Sequence, residues 1–254
     1  MNINLSRILK LILDDRKQTK WGKDLGIPIS SNSRLFKDGT LPADKYLTKI
    51  MHSENVSLNA LFGNSDAPFI VHRTIDSSET FQFIKPHLED EAWDIHIISG
   101  AEYPIIVLST LAEDGDGFKY TPIEVVCGPA DIATANLFKG LKVMHKALPK
   151  DEANELATGY KGTYYLFGKT TLLDAVEVNH SEIMDIFRRE ATKNAQTLKR
   201  IMQIIDDTMA EEKSNLSAED RRKLVSELYF YAVEEGLGSG DISENLVSSM
   251  MRVI

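Results

Sequence analysis

The chain has 254 residues, room for two or three compact units when domains average ~100–150 residues. No apolar run approaches the ~18–20 residues that span a bilayer, and Ile3 to Leu13 is broken by Asn4, Ser6, Arg7 and Lys10, so neither a membrane span nor a signal-peptide core is expected and the chain is expected in the cytoplasm. The net charge of −9 is unevenly spread: residues 1–65 carry ten Lys and Arg against six Asp and Glu, a net +4, whereas residues 66–254 carry nineteen against thirty-two, a net −13.

A basic head on an acidic body suits a polyanionic partner that is attracted at one end and repelled by the rest. The lone cysteine, Cys127, excludes an internal disulfide and a cysteine-based zinc site, and its place in the apolar run IEVVCG reads as a packed core thiol.

The first helix is expected over about Leu5–Arg16, where Leu5, Ile8, Leu9, Ile12 and Leu13 recur at three- and four-residue spacing, with Asp14 to Lys17 facing water. Gln18 or Thr19 caps a second helix that runs to about Leu25 and ends at Gly26. Pro28 blocks continuation, and Ile29 to Phe36 forms a third helix with Ile29, Leu35 and Phe36 available for the core and Ser30, Ser31, Asn32, Ser33 and Arg34 outward. The short Gly-Ile-Pro connection is that of a helix-turn-helix. Such a pair places the second helix against base edges in the major groove. Ser30, Ser31, Asn32, Ser33 and Arg34 would then read bases, while Gln18, Thr19, Lys20, Lys23 and Lys37, with Lys45 nearby, would grip phosphates. The bland alternative is a solvated cap followed by a solvated lysine face.

Residues 4–63, about a quarter of the chain, resemble the N-terminal domain of phage CI-type repressors within the broad XRE-like helix-turn-helix class. The likeness rests on Gln18 through Leu25-Gly26-Ile27, on the Ser-rich run to Arg34, on LPADKYL at 41–47 and on NVSLNALFG at 55–63. It implies a fourth helix after LPAD, a fifth after NVSL, binding to double-stranded palindromic operator DNA as a homodimer or higher oligomer, and a role in lysogeny. The chain departs from that pattern at Gly22, where a small alanine is usual, and at Pro28 in the turn.

Gly63 to Pro68 reads as a linker, placing the head at residues 1–65. Phe69-Ile70-Val71 is a candidate strand, and Glu79 to Glu91 a candidate helix despite Pro86. Trp93, Ile95 and Ile97 alternate with Asp94 and His96; Tyr103 to Leu108, Ile123 to Cys127 and Thr163 to Phe167 are further strand candidates. Turns are expected at Gly100-Ala101 and at Asp114 to Gly117. Helices are expected over Asp131–Lys146 and Lys150–Ala157. Residues 66–178 thus read as a small, mainly antiparallel α+β domain.

From Asn179 the pattern is helical. Met184, Phe187, Ala191, Asn194, Leu198, Ile201 and Ile205 alternate spacings of three and four, the seam of a coiled coil, so Phe187, Ala191, Asn194, Leu198, Ile201 and Ile205 are candidate oligomerisation residues; packing within the chain is the alternative. Helices from Ser217, with Asp220 as its capping partner, and from Asp241, with Glu244, complete residues 179–254 as a helical oligomerisation region. The stretch LSAEDRRKLVSELYFYAVEEG is similar to the terminal helical hairpin of some phage and prophage regulators.

Catalytic patterns fail on spacing. Gly168-Lys169-Thr170 lacks the glycine at position 163 that a phosphate loop needs, and Asp114-Gly115-Asp116-Gly117 lacks the later ligands of a calcium loop. Asp94 and His96 share a strand face with no serine or cysteine placed by the sequence to complete a nucleophilic site. The self-cleaving serine–lysine domain of many such repressors is not expected, because no Ala-Gly scissile pair stands out and Gly100-Ala101 has the reverse order. The expectation is a multidomain α+β repressor, not an enzyme, with no cofactor or metal, acting by operator occlusion and relieved by an antirepressor protein, a small-molecule inducer or dissociation. The alternative is a ligand-sensing or protein-interaction module that the helix-turn-helix only localises.

Overall fold

The amphipathic N-terminal helices close on one another in the computed structural model, which describes residues 3–90, 92–112, 119–169, 171–212, 217–234, 239–240 and 242–251. Helices α1 (Ile3–Leu13), α2 (Gln18–Asp24), α3 (Ile29–Asp38), α4 (Asp44–Glu54) and the short α5 (Leu58–Leu61) form a head. Its core collects the expected α1 stripe, Leu5, Ile8, Leu9 and Ile12, against Trp21, Leu25, Leu35, Ile50 and Leu61. Each such side chain, fully buried, contributes roughly 1.5–3 kcal/mol relative to exposure. The α1 helix stops at Leu13 because Asp14 takes the left-handed conformation, φ 54°. Arg16 therefore does not face water as expected but folds back onto the head, donating to Glu54 at 2.6 and 2.8 Å.

Behind the head lies a six-stranded mixed sheet. Its strands are β1 (His72–Arg73), β2 (Asp94–Ser99), β3 (Ile105–Ala112), β4 (Lys119–Cys127), β5 (Val143–Ala147) and β6 (Val176–Val178), in the order β1-β4-β3-β2-β5-β6. The pairs β2–β3, β3–β4 and β5–β6 are antiparallel, while β1–β4 and β2–β5 are parallel. Parallel pairing needs crossover connections, here supplied by α6 (Ser77–Asp90) and α7 (Ile132–Leu137). Both faces are covered. Ile98, Ile105, Val107 and Val125 pack beneath α8 (Lys150–Ala157), and Ile97, Ile106, Leu108 and Val126 pack against α6, α7 and the start of α9 (His180–Glu212). That is why β3 reads as a continuous apolar run.

Four expectations for this region change. The helix foreseen over 131–146 ends at Leu137: Gly140 turns with φ 83°, Phe138 plugs the core, and Val143 to Ala147 becomes β5 beside β2. Thr163 to Phe167 is not a strand but part of a π-helical turn, Tyr164–Gly168, that delivers Leu166 to the core. Phe69 leaves the sheet to join the head core, and the first strand is His72–Arg73. The sheet is mixed rather than mainly antiparallel. Cys127 is buried as expected, and burial pushes its thiol up to about 12. Helix α8 has the predicted bounds, α6 runs through Pro86, and Asp114 to Gly117 lies outside the described residues.

The 33-residue α9 divides its apolar stripe between two partners. Ile183, Ile186 and Phe187 pack on the sheet, whereas Ile201, Ile204 and Ile205 meet α10 (Ala218–Glu234) and α11 (Glu244–Met251) through Leu224, Leu228 and Val247. The expected self-association seam is therefore consumed within the chain at Phe187, Ile201 and Ile205. Leu198 remains 36% exposed, and the side chains of Ala191 and Asn194 lie outside the described residues. The capping pair at α10 forms as expected: Asp220 N–H donates to Ser217 Oγ at 3.1 Å, and Ser217 Oγ–H to the Asp220 carboxylate at 2.7 Å. At α11 the capping oxygen is Ser243 Oγ, which accepts from Leu246 N–H at 3.3 Å; Asp241 lies outside the described residues. Among the described residues no helix is long and apolar enough to cross a membrane.

His96, expected on a polar strand face, is buried, and its edge meets the Phe167 ring at 6.0 Å between centroids. Burial lowers its pKa from 6.5; Asp94 opposes that shift and Lys142 adds to it. A lowered folded-state value means that below pH ~6.5 the unfolded chain binds a proton the folded chain refuses, so stability is full above that pH and declines in acid. His145 is lowered in the same direction, again chiefly by burial, so wild type and variant must be compared. Replacing His96 with Gln should flatten the fall in unfolding free energy between pH 7 and 5 in denaturant titrations; an unchanged slope would contradict this account.

Candidate functional site

The α2–α3 connection is built by backbone chemistry. Ile27 N–H donates to Gly22 O at 2.7 Å and Gly26 N–H to Lys23 O at 2.9 Å, the paired bonds of a Schellman turn, with Gly26 at φ 65° in the position that favours glycine. Ile27 then packs in the head core with Trp21. Pro28, with φ −56°, precedes the first residue of α3.

Asn32, expected to point outward, is 4% exposed and faces α2. Its Nδ2 donates to Gln18 O at 2.9 Å, and Gln18 Nε2 donates to Asn32 O at 3.3 Å, a reciprocal clasp between the two helices. Room for it exists because position 22 has no side chain: a Cβ on Gly22 would stand 2.2 Å from Asn32 Nδ2 and 2.6 Å from its Cγ. Gln18, half-buried at the start of α2, and buried Asn32 thus set the angle of α3, and Ser31 is half-buried as well.

The rest of the predicted set is on the surface. Thr19, Lys20, Lys23, Ser30, Ser33, Arg34 and Lys37 are exposed, and at 100° per residue Ser30, Ser33, Arg34 and Lys37 share one side of α3. Lys20 pairs with Asp24 at 3.1 Å, and Arg34 Nε reaches Ser30 O at 3.4 Å. Lys23, Arg34 and Lys37 have no acidic partner among the described residues. Lys45 is exposed and lies over the Tyr46 ring at 4.8 Å. Ile29, assigned to the core from its sequence, is 86% exposed. It sits one turn before Ser33 and nearly in line with Phe36, but at the first residue of α3, beyond the end of the core that Phe36 reaches. Its place at the very start of the helix decided this, and the proline immediately before it was the available signal. The strip offers two hydroxyls, one guanidinium and one ammonium group, with the branched Ile29 side chain at its N-terminal edge.

Its placement relative to the body is set by a junction of charged and aromatic groups. Lys169 Nζ bonds Asp14 at 2.7 Å and Asp15 at 3.3 Å, Tyr164 Oη–H donates to Asp15 at 2.8 Å, and the Arg16 guanidinium lies over the Tyr164 ring at 4.0 Å. The Tyr164 bond and then Lys169 hold the Asp15 carboxyl below its ordinary range; the bond to Asp15 raises Tyr164, and the bond to Asp14 raises Lys169. Beside these groups a cleft of about 590 Å³ opens, lined by Lys10, Phe69, Lys161 and Tyr165 among others.

On the sheet, register brings Ser109 opposite Asp94 and diagonal to His96, a neighbour that strand spacing alone did not reveal. Ser109 is fully buried, and neither its Oγ nor His96 Nδ1 has a hydrogen-bond partner among the described residues, so these two do not form a bonded nucleophile–base pair. No protein family, characterised protein or solved structure matches this chain.

The clasp makes a paired prediction. Gly22→Ala gains helix propensity of about 1 kcal/mol yet must displace Asn32, so thermal unfolding should show net destabilisation. Adding Asn32→Ala should recover most of it. Equal destabilisation with and without Asn32→Ala would show that the two positions are uncoupled.

Proposed function

We propose that the chain is a sequence-specific DNA-binding transcription regulator of the repressor type, in which α2 and α3 act as a helix-turn-helix within a separate head, the mixed-sheet unit serves as a body and the C-terminal helices carry self-association. The observation that carries this reading is the exposed side of α3, where Ser30, Ser33, Arg34 and Lys37 stand together without acidic partners among the described residues, with Thr19, Lys20 and Lys23 exposed on α2. Arg34 suits the O6 and N7 acceptors of guanine, the two serines suit either base type, and the lysines suit phosphates. Gln18 and Asn32 act as positioning residues that hold α3 at its angle.

The acidic body keeps the remainder of the chain off the duplex, so that binding is confined to the head. A palindromic operator requires two heads with half-sites about 34 Å apart, or a multiple of that. Because the longer seam is used internally, the surface we assign to self-association is the exposed pair Leu198 and Met202, one turn apart on α9. Occupation of the operator excludes polymerase, and an inducing molecule in the cleft beneath α1 would act on the placement of the head.

DNA recovered from a random pool by the full-length chain should be palindromic. Arg34→Glu with Lys37→Glu should bring affinity for that DNA down to affinity for random duplex. Lys23→Ala should keep the preference and reduce the slope of log affinity against log salt by about 0.9, the value of one phosphate that is no longer neutralised. Retained preference in the double variant would overturn the assignment. Leu198→Asp should lower the sedimenting mass and the apparent affinity together; a variant that sediments like the native chain would place self-association elsewhere.

A further inference from the structure

We infer that Ile29 reads the C5-methyl group of a thymine in each half-site, an inference that rests on the DNA-binding reading above. The starting point is a residue in the wrong environment. An isoleucine 86% exposed at the head of a helix whose other large apolar residues, Leu35 and Phe36, turn inward does nothing for the stability of the chain. Isolated exposed apolar residues are common, and Ile75 and Leu173 are comparably bare. Those two stand in the acidic body. Ile29 opens the exposed helix of the cationic head, one turn before Ser33 and about 40° around α3 from it, with Ser30 the next residue.

Charge complementarity names the occupant. A surface rimmed by unpaired Lys and Arg draws the phosphate backbone, and the edge of the major groove presents one apolar group, the thymine methyl. The branched side chain suits the task because a β-branched residue in a helix is held in essentially one χ1 rotamer, so little side-chain freedom is lost on docking. The position suits it as well, since recognition helices present their N-terminal residues to base edges. The Schellman turn at Gly26 and the Gln18–Asn32 clasp fix that end of α3 before any DNA arrives.

The test removes a methyl group from the DNA and nothing else. The full-length chain is used to select duplex from a random pool, and each thymine of the selected site is then replaced singly by deoxyuridine while affinity is followed by fluorescence anisotropy. At one thymine per half-site the native chain should lose about three- to fivefold, the worth of one buried methyl. Ile29→Ala, altered at a solvent-facing position, should bind the thymine and uracil duplexes equally, and Ile29→Val should fall between. Indifference of the native chain to uracil at every position, or an undiminished thymine preference in Ile29→Ala, overturns this inference while the selected sequence still upholds the DNA-binding reading. A chain that enriches no sequence overturns both.

Discussion

The buried carboxylate of Glu54 is the constraint on which the head depends. Only 3% exposed, it accepts two bonds from the Arg16 guanidinium and one from Trp21 Nε1 at 2.7 Å, so a single anion ties the chain after α1, the middle of α2 and the end of α4. Removing one member of such a buried pair typically costs about 3–5 kcal/mol, because the other charge is left without compensation. That is a large part of a folding free energy of about 5–15 kcal/mol. The core around it is ordinary aliphatic packing that could tolerate several arrangements; the fixed donors and acceptor select one. The opposite face of Arg16 meets Tyr164, so the charge that organises the head also touches the body.

Head and body are therefore joined by more than a tether. Val56 and Phe69 form an antiparallel bridge, Ile70 N–H donates to Asn55 O at 2.9 Å, and Asn55 Nδ2 returns a bond to Ile70 O at 2.9 Å. The body is stiffened in turn by helices on both sheet faces and by the Tyr103–Tyr229 hydroxyl pair, which links the β2–β3 connection to α10. Rigid attachment fixes where the head stands relative to its own body, a placement that a flexible linker would leave open.

The head was legible from sequence to within two or three residues at each helix end, because its signals are local: a 3.6-residue apolar period, Gly26 and Gly39 at positive φ, and Pro28 as a stop. The sheet was legible strand by strand where apolar runs were continuous, but not in its pairing, since parallel and antiparallel partners leave no mark on a single strand. Phe138, Leu141 and Met144 fit a helix as well as what they form, a turn leading into β5; Gly140 was the cue. Burial of Asn32 was hidden because it depends on an absent atom, the Cβ of Gly22, ten residues away. The α9 stripe was legible as apolar, with self-association and packing within the chain as its two readings, and Phe187, Ile201 and Ile205 follow the second. Spacing reveals that a face is covered without revealing by what.

Phe69 lies past the apparent linker yet inside the head core, its N–H bonded to Gly159 O at 3.0 Å and its ring occupying the space where a Cβ on Gly162 would fall. The natural cut between the two units, as composition draws it, thus runs through a shared cornerstone. A head transplanted onto another body by recombination at residue 65 would arrive with a hole in its centre and leave a bare socket behind. Exchange of such heads in evolution, or by protein engineering, has to carry residue 69 along and match it to glycines on the recipient.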